Sequence, residues 1–217
     1  MANKEPRGWY SRGYLPHIDA GAVPQFLTWR LADSCPAELI EKWREELRGK
    51  PEEERKQQLY SRVEKYLDQG LGSCVLRNPI AGRIVQDGLL FYHLVHYDLH
   101  AWSVMPNHVH CLLTPYEGVE FETFLKPLKG YTSREINKAF GGRGNRWQVD
   151  FFDRLIRDEG HFHRVSKYIE WNPVKAGLCS DPKHWAFSSA NEVAMGRVHE
   201  KVTAMRRAEG GQIRDQE

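Results

Sequence analysis

The stretch Trp102-Ser103-Val104-Met105-Pro106-Asn107-His108-Val109-His110-Cys111-Leu112-Leu113 sets two histidines one residue apart inside an apolar run. Successive side chains of a β-strand point to opposite faces, so His108 and His110 project together while Val109, Cys111 and Leu113 turn the other way into a core. The Met-Pro-Asn ahead of them is turn-forming. Residues 95–104 and 107–114 therefore read as two antiparallel strands joined by a tight connection. Two adjacent imidazoles make half of a metal site. Taken alone, the pair is read equally well as two hydrogen-bonded histidines on a half-buried strand, because a metal needs a third donor.

Working outward, residues 24–31 alternate and carry aromatic and β-branched side chains, the pattern of a strand. Residues 38–69 repeat Leu39, Trp43, Leu47 and then Leu59, Val63, Tyr66, Leu67 on either side of Gly49-Lys50-Pro51, which predicts a helical hairpin with a thick, mixed-charge face and no chemistry of its own. A helix over 79–92 starts at Pro79 and buries Ile80, Ile84, Val85 and Leu89. Another spans 119–140, with Leu125, Leu128, Ile136 and Phe140 on one side and Pro127 kinking or dividing it. A short strand at 151–157 and a helix at about 160–171, ending before Pro173, complete the series. The order is β-α-β-β-α-β plus a last helix. This is an α+β, ferredoxin-like plan with an antiparallel sheet and a helical insertion after the first strand. Residues 1–195 are expected to form one domain and 196–217 a polar, loosely ordered tail.

Composition sets limits without naming a function. The chain has 217 residues, 41% hydrophobic and 28% charged, with a formal charge of only +2, which fits a globular protein and shows no global attraction to nucleic acid. Cys35, Cys74, Cys111 and Cys179 are scattered without a C-x-x-C pair, which suits a reducing compartment. With no apolar leader and no uninterrupted apolar run of about 18 residues, the expected location is the cytoplasm, with no membrane partner.

The last helix supplies what the histidine pair lacks. On a helical wheel Phe162, Val165 and Ile169 are buried, and Tyr168 and Asn172 lie one turn apart on the neighbouring edge. Facing the histidines, the amide could complete a metal shell and the tyrosine could act as a nucleophile. Singly, each is also read as a boundary tyrosine and a helix-end residue before proline. Tyr131 sits on the 119–140 helix among basic residues and is a rival nucleophile. Tyr168 is preferred, because only it has an amide one turn on. Between the two halves, Lys126, Lys129, Arg134, Lys138, Arg143 and Arg146 are accompanied by a single acid, Glu135. With Trp147, Phe151 and Phe152 close behind and Arg154 and Arg157 following, this one-signed stretch suits a groove that holds phosphates and stacks unpaired bases.

These segments, taken together, resemble a known family. Met-Pro-Asn-His-Val-His, Gly-x-x-Trp-Gln (144–148), Phe-Phe-Asp-Arg-x-Ile-Arg-Asp (151–158) and Tyr-Ile-x-x-Asn-Pro-Val-Lys-Ala-Gly-Leu (168–178) are similar to the REP-associated tyrosine transposases, of the single-tyrosine branch of the HUH endonuclease superfamily. Leu15-Pro16-His17-Ile18-Asp19 and Trp185-Ala186-Phe187-Ser188-Ser189 carry the likeness further. The resemblance implies a ferredoxin-like core, His108 and His110 as metal ligands, Asn172 as the third ligand and Tyr168 as the nucleophile. It also implies single-stranded DNA folded into repetitive extragenic palindrome hairpins as substrate, and a monomer, with a dimer also compatible. The divalent ion would be Mg²⁺ or Mn²⁺, and attack by Tyr168 would leave a 5′-phosphotyrosine and a free 3′-hydroxyl. A hairpin-binding regulator without catalysis and a metal-dependent nuclease that uses water are the alternative functions.

Overall fold

The computed structural model describes residues 8–11, 16–19 and 21–212, with side chains over 21–204. A small antiparallel pair, β1 (Gly8–Ser11) and β2 (Pro16–Asp19), precedes the core, and Leu15 lies outside the described residues. The sheet that positions the histidines has four strands: β3 (Gln25–Arg30), β4 (Tyr97–Val104), β5 (His108–Pro115) and β6 (Phe152–Leu155). Their order is β4-β5-β3-β6, and every neighbouring pair is antiparallel. Helix α3 (Pro79–Tyr92) connects β3 to β4, and α4 (Phe121–Phe140) connects β5 to β6. The expected β-α-β-β-α-β succession is present in an α+β fold.

Pairing puts Thr28 opposite His110 and Arg30 opposite His108. The alternation read from β5 divides the interior. Val109, Cys111 and Leu113 pack with Leu27, Trp29, Val85, Leu89, Leu128 and Ile136 under α3 and α4. On the other face, Leu112 joins Phe26 and Ala101 beneath Val165 and Ile169 of α5 (Glu159–Lys175). With helices on both faces, β5 is buried almost throughout rather than half-buried. At the α3–α4 crossing Gly88 has no room for a side chain, since a Cβ there would stand 2.5 Å from Leu128 Cδ1.

The insertion forms α1 (Ala37–Glu46) and α2 (Glu52–Leu67), broken at the expected Gly-Lys-Pro. Its small core of Cys35, Ile40, Leu47, Leu59 and Leu67 holds the hairpin together. The structure departs from the sequence reading at several ends. Pro127 does not divide α4; Thr123 and Pro127 are both exposed, so the carbonyl freed by the proline faces water. Ile80 and Phe140, expected on buried stripes, are exposed. Helix α5 runs through Pro173 to Lys175. Its end is set by Gly177 in the left-handed region (φ 69°), where Leu178 N–H donates to the Pro173 carbonyl and Gly177 N–H to that of Val174.

The helix bearing Tyr168 is also not the last of the chain. Residue 196, where the sequence reading begins a loose tail, falls inside α6 (Glu192–Gln212). Ala194 and Val198 bury against the core, and Lys201 donates to the Phe91 carbonyl at the end of α3. Among the described residues no helix is long and apolar enough to cross a membrane.

Candidate active site

The turn into β5 fixes the first imidazole. Asn107 is buried and spends its amide N–H groups on the carbonyls of Leu67 (3.2 Å) and Leu71 (3.0 Å) at the end of α2. Its Oδ1 therefore faces His108 Nδ1 at 2.7 Å as an acceptor, which places the His108 proton on Nδ1 and leaves a lone pair on Nε2. His108 Nε2 and His110 Nε2 stand 2.9 Å apart. Thr28 Oγ1, 2.8 Å from His110 Nδ1, can donate or accept, so either His110 tautomer is satisfied and both Nε2 lone pairs can be aimed at one cation. Burial pushes the His108 imidazole down to about 3 and that of His110 well below its usual value, with His108 and Lys175 adding to the latter. Both rings are neutral at physiological pH, the form that binds metal.

Helix α5 brings Tyr168 to this pair. Its ring centroid lies 5.7 Å from that of His110 at 63°, and the Lys175 ammonium sits 5.6 Å over the Tyr168 ring while pairing with Asp68 at 3.2 Å. The Tyr168 hydroxyl donates to Glu64 Oε2. Glu64 comes from α2, the insertion that the sequence reading treated as mere packing. It is 5% exposed, and its Oε1 has no hydrogen-bond partner among the described residues and stands 3.7 Å from His110 Nε2. Burial pushes the Glu64 carboxyl up to about 8, with the Tyr60 hydroxyl drawing it down, Asp68 raising it and Lys175 lowering it. The signal for Glu64 was available: it lies four residues from Tyr60 and beside Val63 on the apolar stripe of α2, an acid where the helix buries itself.

Asn172 is one turn beyond Tyr168, inside α5 rather than at its cap, and fully buried. Neither its Oδ1 nor its Nδ2 has a hydrogen-bond partner among the described residues. A buried amide left orphaned costs about 1–3 kcal/mol, so its retention needs a reason, and a missing ligand is one. Among the described residues no three His, Cys, Asp or Glu side chains form a metal-holding group. Two neutral imidazoles with an orphaned amide oxygen are a donor set that fits a divalent first-row ion. Tyr131 is 45% exposed on α4, on the opposite side of the sheet.

The basic stretch does not stay together. Trp147 is core, with its indole N–H on Thr132 Oγ1 at 2.8 Å, so it offers no face to a base. Lys129 is buried and donates to the carbonyls of Gln148, Val149 and Asp150, and burial pulls its ammonium down to about 7. Arg146 is held by Asn137 Oδ1 and the Gly141 carbonyl, both at 2.6 Å. Lys126, Arg134, Lys138 and Arg143 remain exposed; Lys126 and Arg134 border a cleft of about 780 Å³ along α4. Across the sheet, Arg154 lines a second cleft of about 370 Å³ between α2 and α5, together with Lys65, His161, Arg164, Tyr168 and Lys175. Arg157 reaches α2 through Glu53 at 3.8 Å. Phe151 is buried, and Phe152 stacks on Tyr60 at 3.9 Å.

This arrangement of His108, His110, Tyr168 and Asn172 lies within a segment with known relatives. Residues 92–172 match the family described as transposase IS200-like. The chain is also similar to the REP-associated tyrosine transposase of Escherichia coli K12, at 34% identity over 106 residues. That alignment takes in 46% of this chain and 59% of the relative's length, so the chain spans less than two thirds of it. A solved structure of a REP-associated tyrosine transposase bound to a REP hairpin aligns over 86% of each chain, at 21% identity and a TM-score of 0.48. The transposase-like segment opens at the end of α3 and closes at Asn172. Thr28 and Glu64, which touch His110 and Tyr168, come from outside it.

Proposed function

We propose that the protein is a metal-dependent, single-stranded DNA endonuclease and strand transferase acting on REP-type hairpins, with Tyr168 as nucleophile. The observation that carries this reading is the packing of the Tyr168 ring against His110 within one chain, beside a pair of neutral imidazoles. The name of the Escherichia coli relative supports a hairpin substrate of the REP kind. A divalent cation, Mg²⁺ or Mn²⁺, held by His108, His110 and Asn172 would supply Lewis-acid polarisation of the scissile phosphate.

The protein's own groups do the rest. Tyr168 Oη gives up its proton and bonds to phosphorus, the bond from phosphorus to the 3′-oxygen breaks and that oxygen takes up a proton, and the strand is left as a 5′-phosphotyrosine and a free 3′-hydroxyl. Because the phosphodiester energy is kept in that covalent bond, a 3′-hydroxyl can attack it in reverse and rejoin strands. Arg154, Arg164, Lys65 and Lys175 give the cleft leading to Tyr168 the charge to hold an unpaired backbone. Nucleophile and histidines meet within one chain, which favours attack in cis by a monomer.

The test is a denaturing gel after incubation with Mn²⁺ and an end-labelled REP-type hairpin carrying single-stranded flanks. A protein–DNA adduct that disappears in Tyr168→Phe is expected. Nicked DNA without an adduct would replace the tyrosine mechanism by hydrolysis, and binding without cutting would make the protein a hairpin-binding regulator.

A further inference from the structure

We infer that Glu64, delivered by the helical insertion, is the positioning residue for the Tyr168 hydroxyl. This rests on the reading of Tyr168 as nucleophile and extends the site beyond the transposase-like segment, which starts at residue 92. A tyrosine at a cleft mouth has a hydroxyl that water can claim. Here the hydroxyl donates to a carboxyl group that is itself buried and lies between it and the histidine pair. The two oxygens of Glu64 thus face the two halves of the site, Oε2 the tyrosine and Oε1 the side of His110.

The Glu64 side chain can orient the hydroxyl only if α2 is itself held, and α2 is tied on three sides. Asn107, beside His108, grips the carbonyls of Leu67 and Leu71 at its C-terminal end. Lys175 of α5 pairs with Asp68 just past that end. Tyr60, one turn before Glu64, stacks on Phe152 and meets Phe26 edge-on, and Phe26 in turn stacks on His110 at 5.5 Å. The strand of the histidines, the helix of the tyrosine and the insertion are therefore one unit, and a displaced α2 would release the hydroxyl. Orientation of a reacting atom is worth large factors, about 100-fold for a misplacement near 1 Å.

Two variants separate positioning from packing. Glu64→Met keeps the volume and removes the acceptor; Glu64→Gln keeps both. With saturating hairpin and Mn²⁺, Glu64→Met should form the adduct at least tenfold more slowly than wild type, with hairpin affinity within twofold, and Glu64→Gln should recover most of the rate. A Glu64→Met rate within twofold of wild type, or a Glu64→Gln rate no better than that of Glu64→Met, overturns the inference. A double-mutant cycle of Tyr168→Phe with Glu64→Met, read by urea unfolding of the free protein, gives an answer that does not depend on catalysis. Coupling of threefold or more in the unfolding constant supports the contact, and additivity overturns it. Absence of any adduct with wild type defeats the nucleophile reading instead, and the cycle still decides whether Glu64 holds the hydroxyl.

Discussion

Asn107 Oδ1 lies 2.7 Å from His108 Nδ1 while the same amide holds the end of α2, so one side chain sets the tautomer of a histidine and docks the insertion beside it. A residue with both duties should show two separable losses. Asn107→Ala is expected to weaken Mn²⁺ binding by about 10- to 100-fold, measured by calorimetry or by the electron paramagnetic resonance of free Mn²⁺. It should also lower stability by about 1–3 kcal/mol in urea, because the carbonyl of buried Leu67 and the partly exposed one of Leu71 both lose their donor. Unchanged metal affinity in a folded Asn107→Ala protein would falsify the orienting role.

The buried groups of the site give the protein opposing pH dependences. The His108 imidazole, at about 3 when folded, stays neutral where the unfolded chain takes up a proton below about 6.5, so its contribution to stability is present above that pH and lost on acidification. The Glu64 carboxyl, at about 8 when folded, keeps a proton that the unfolded chain releases above about 4.5, so its contribution is lost as pH rises from there to about 8. Glu64→Gln removes only the second dependence. Unfolding followed in chelator between pH 5 and 8 should show Glu64→Gln gaining on wild type as pH rises, by at most about 1.4 kcal/mol per pH unit. A constant difference between the two proteins would mean that Glu64 is ionised throughout.

The elements were legible wherever a strong period met a strong stop. The β5 alternation assigned both faces of the strand correctly, and the Gly-Lys-Pro break placed the hairpin. A local rule failed where residues further along the chain overruled it. Pro173 disfavours helix at Asn172, yet Gly177 and Leu178 close the helix end beyond it and keep Asn172 buried inside α5. The sequence marked Tyr168 and the histidines by short spacings, and the fold packs the Tyr168 ring against His110. Glu64 could be read as a buried acid from its place on the apolar stripe of α2, but not as part of the site, because its partner is 104 residues away. The basic stretch misled for a related reason. A linear count of charge cannot tell the two sides of a sheet apart, nor an ammonium that caps carbonyls from one that meets solvent.

That distinction can be measured. Lys129→Met should cost about 1–3 kcal/mol of stability by removing the charge-assisted hydrogen bonds of the ammonium to the carbonyls of residues 148–150, while leaving the salt dependence of hairpin binding unchanged. Lys126→Ala with Arg134→Ala should do the reverse if the α4 cleft holds phosphates: stability within about 0.5 kcal/mol of wild type, and a slope of log affinity against log salt smaller by about 1.5–2, nearly one for each cation removed. Equal effects of the two changes on the slope would return Lys129 to the DNA-binding set.

The cleft between α2 and α5 makes a different demand, because Arg154 and Arg164 flank the route to the Tyr168 hydroxyl. On the proposed mechanism the charges there meet the strand that is to be cut, and the paired stem is assigned to another surface. The double variant Arg154→Ala, Arg164→Ala should therefore slow adduct formation about tenfold or more on a hairpin with single-stranded flanks. Its affinity for a flankless hairpin should stay within about twofold, since each lost phosphate contact lowers binding only to strands that reach the cleft. Competition by unlabelled flankless hairpin against labelled flanked hairpin reads both quantities in one titration. Equal loss of affinity for the two DNAs would place the stem, and not the unpaired strand, between α2 and α5.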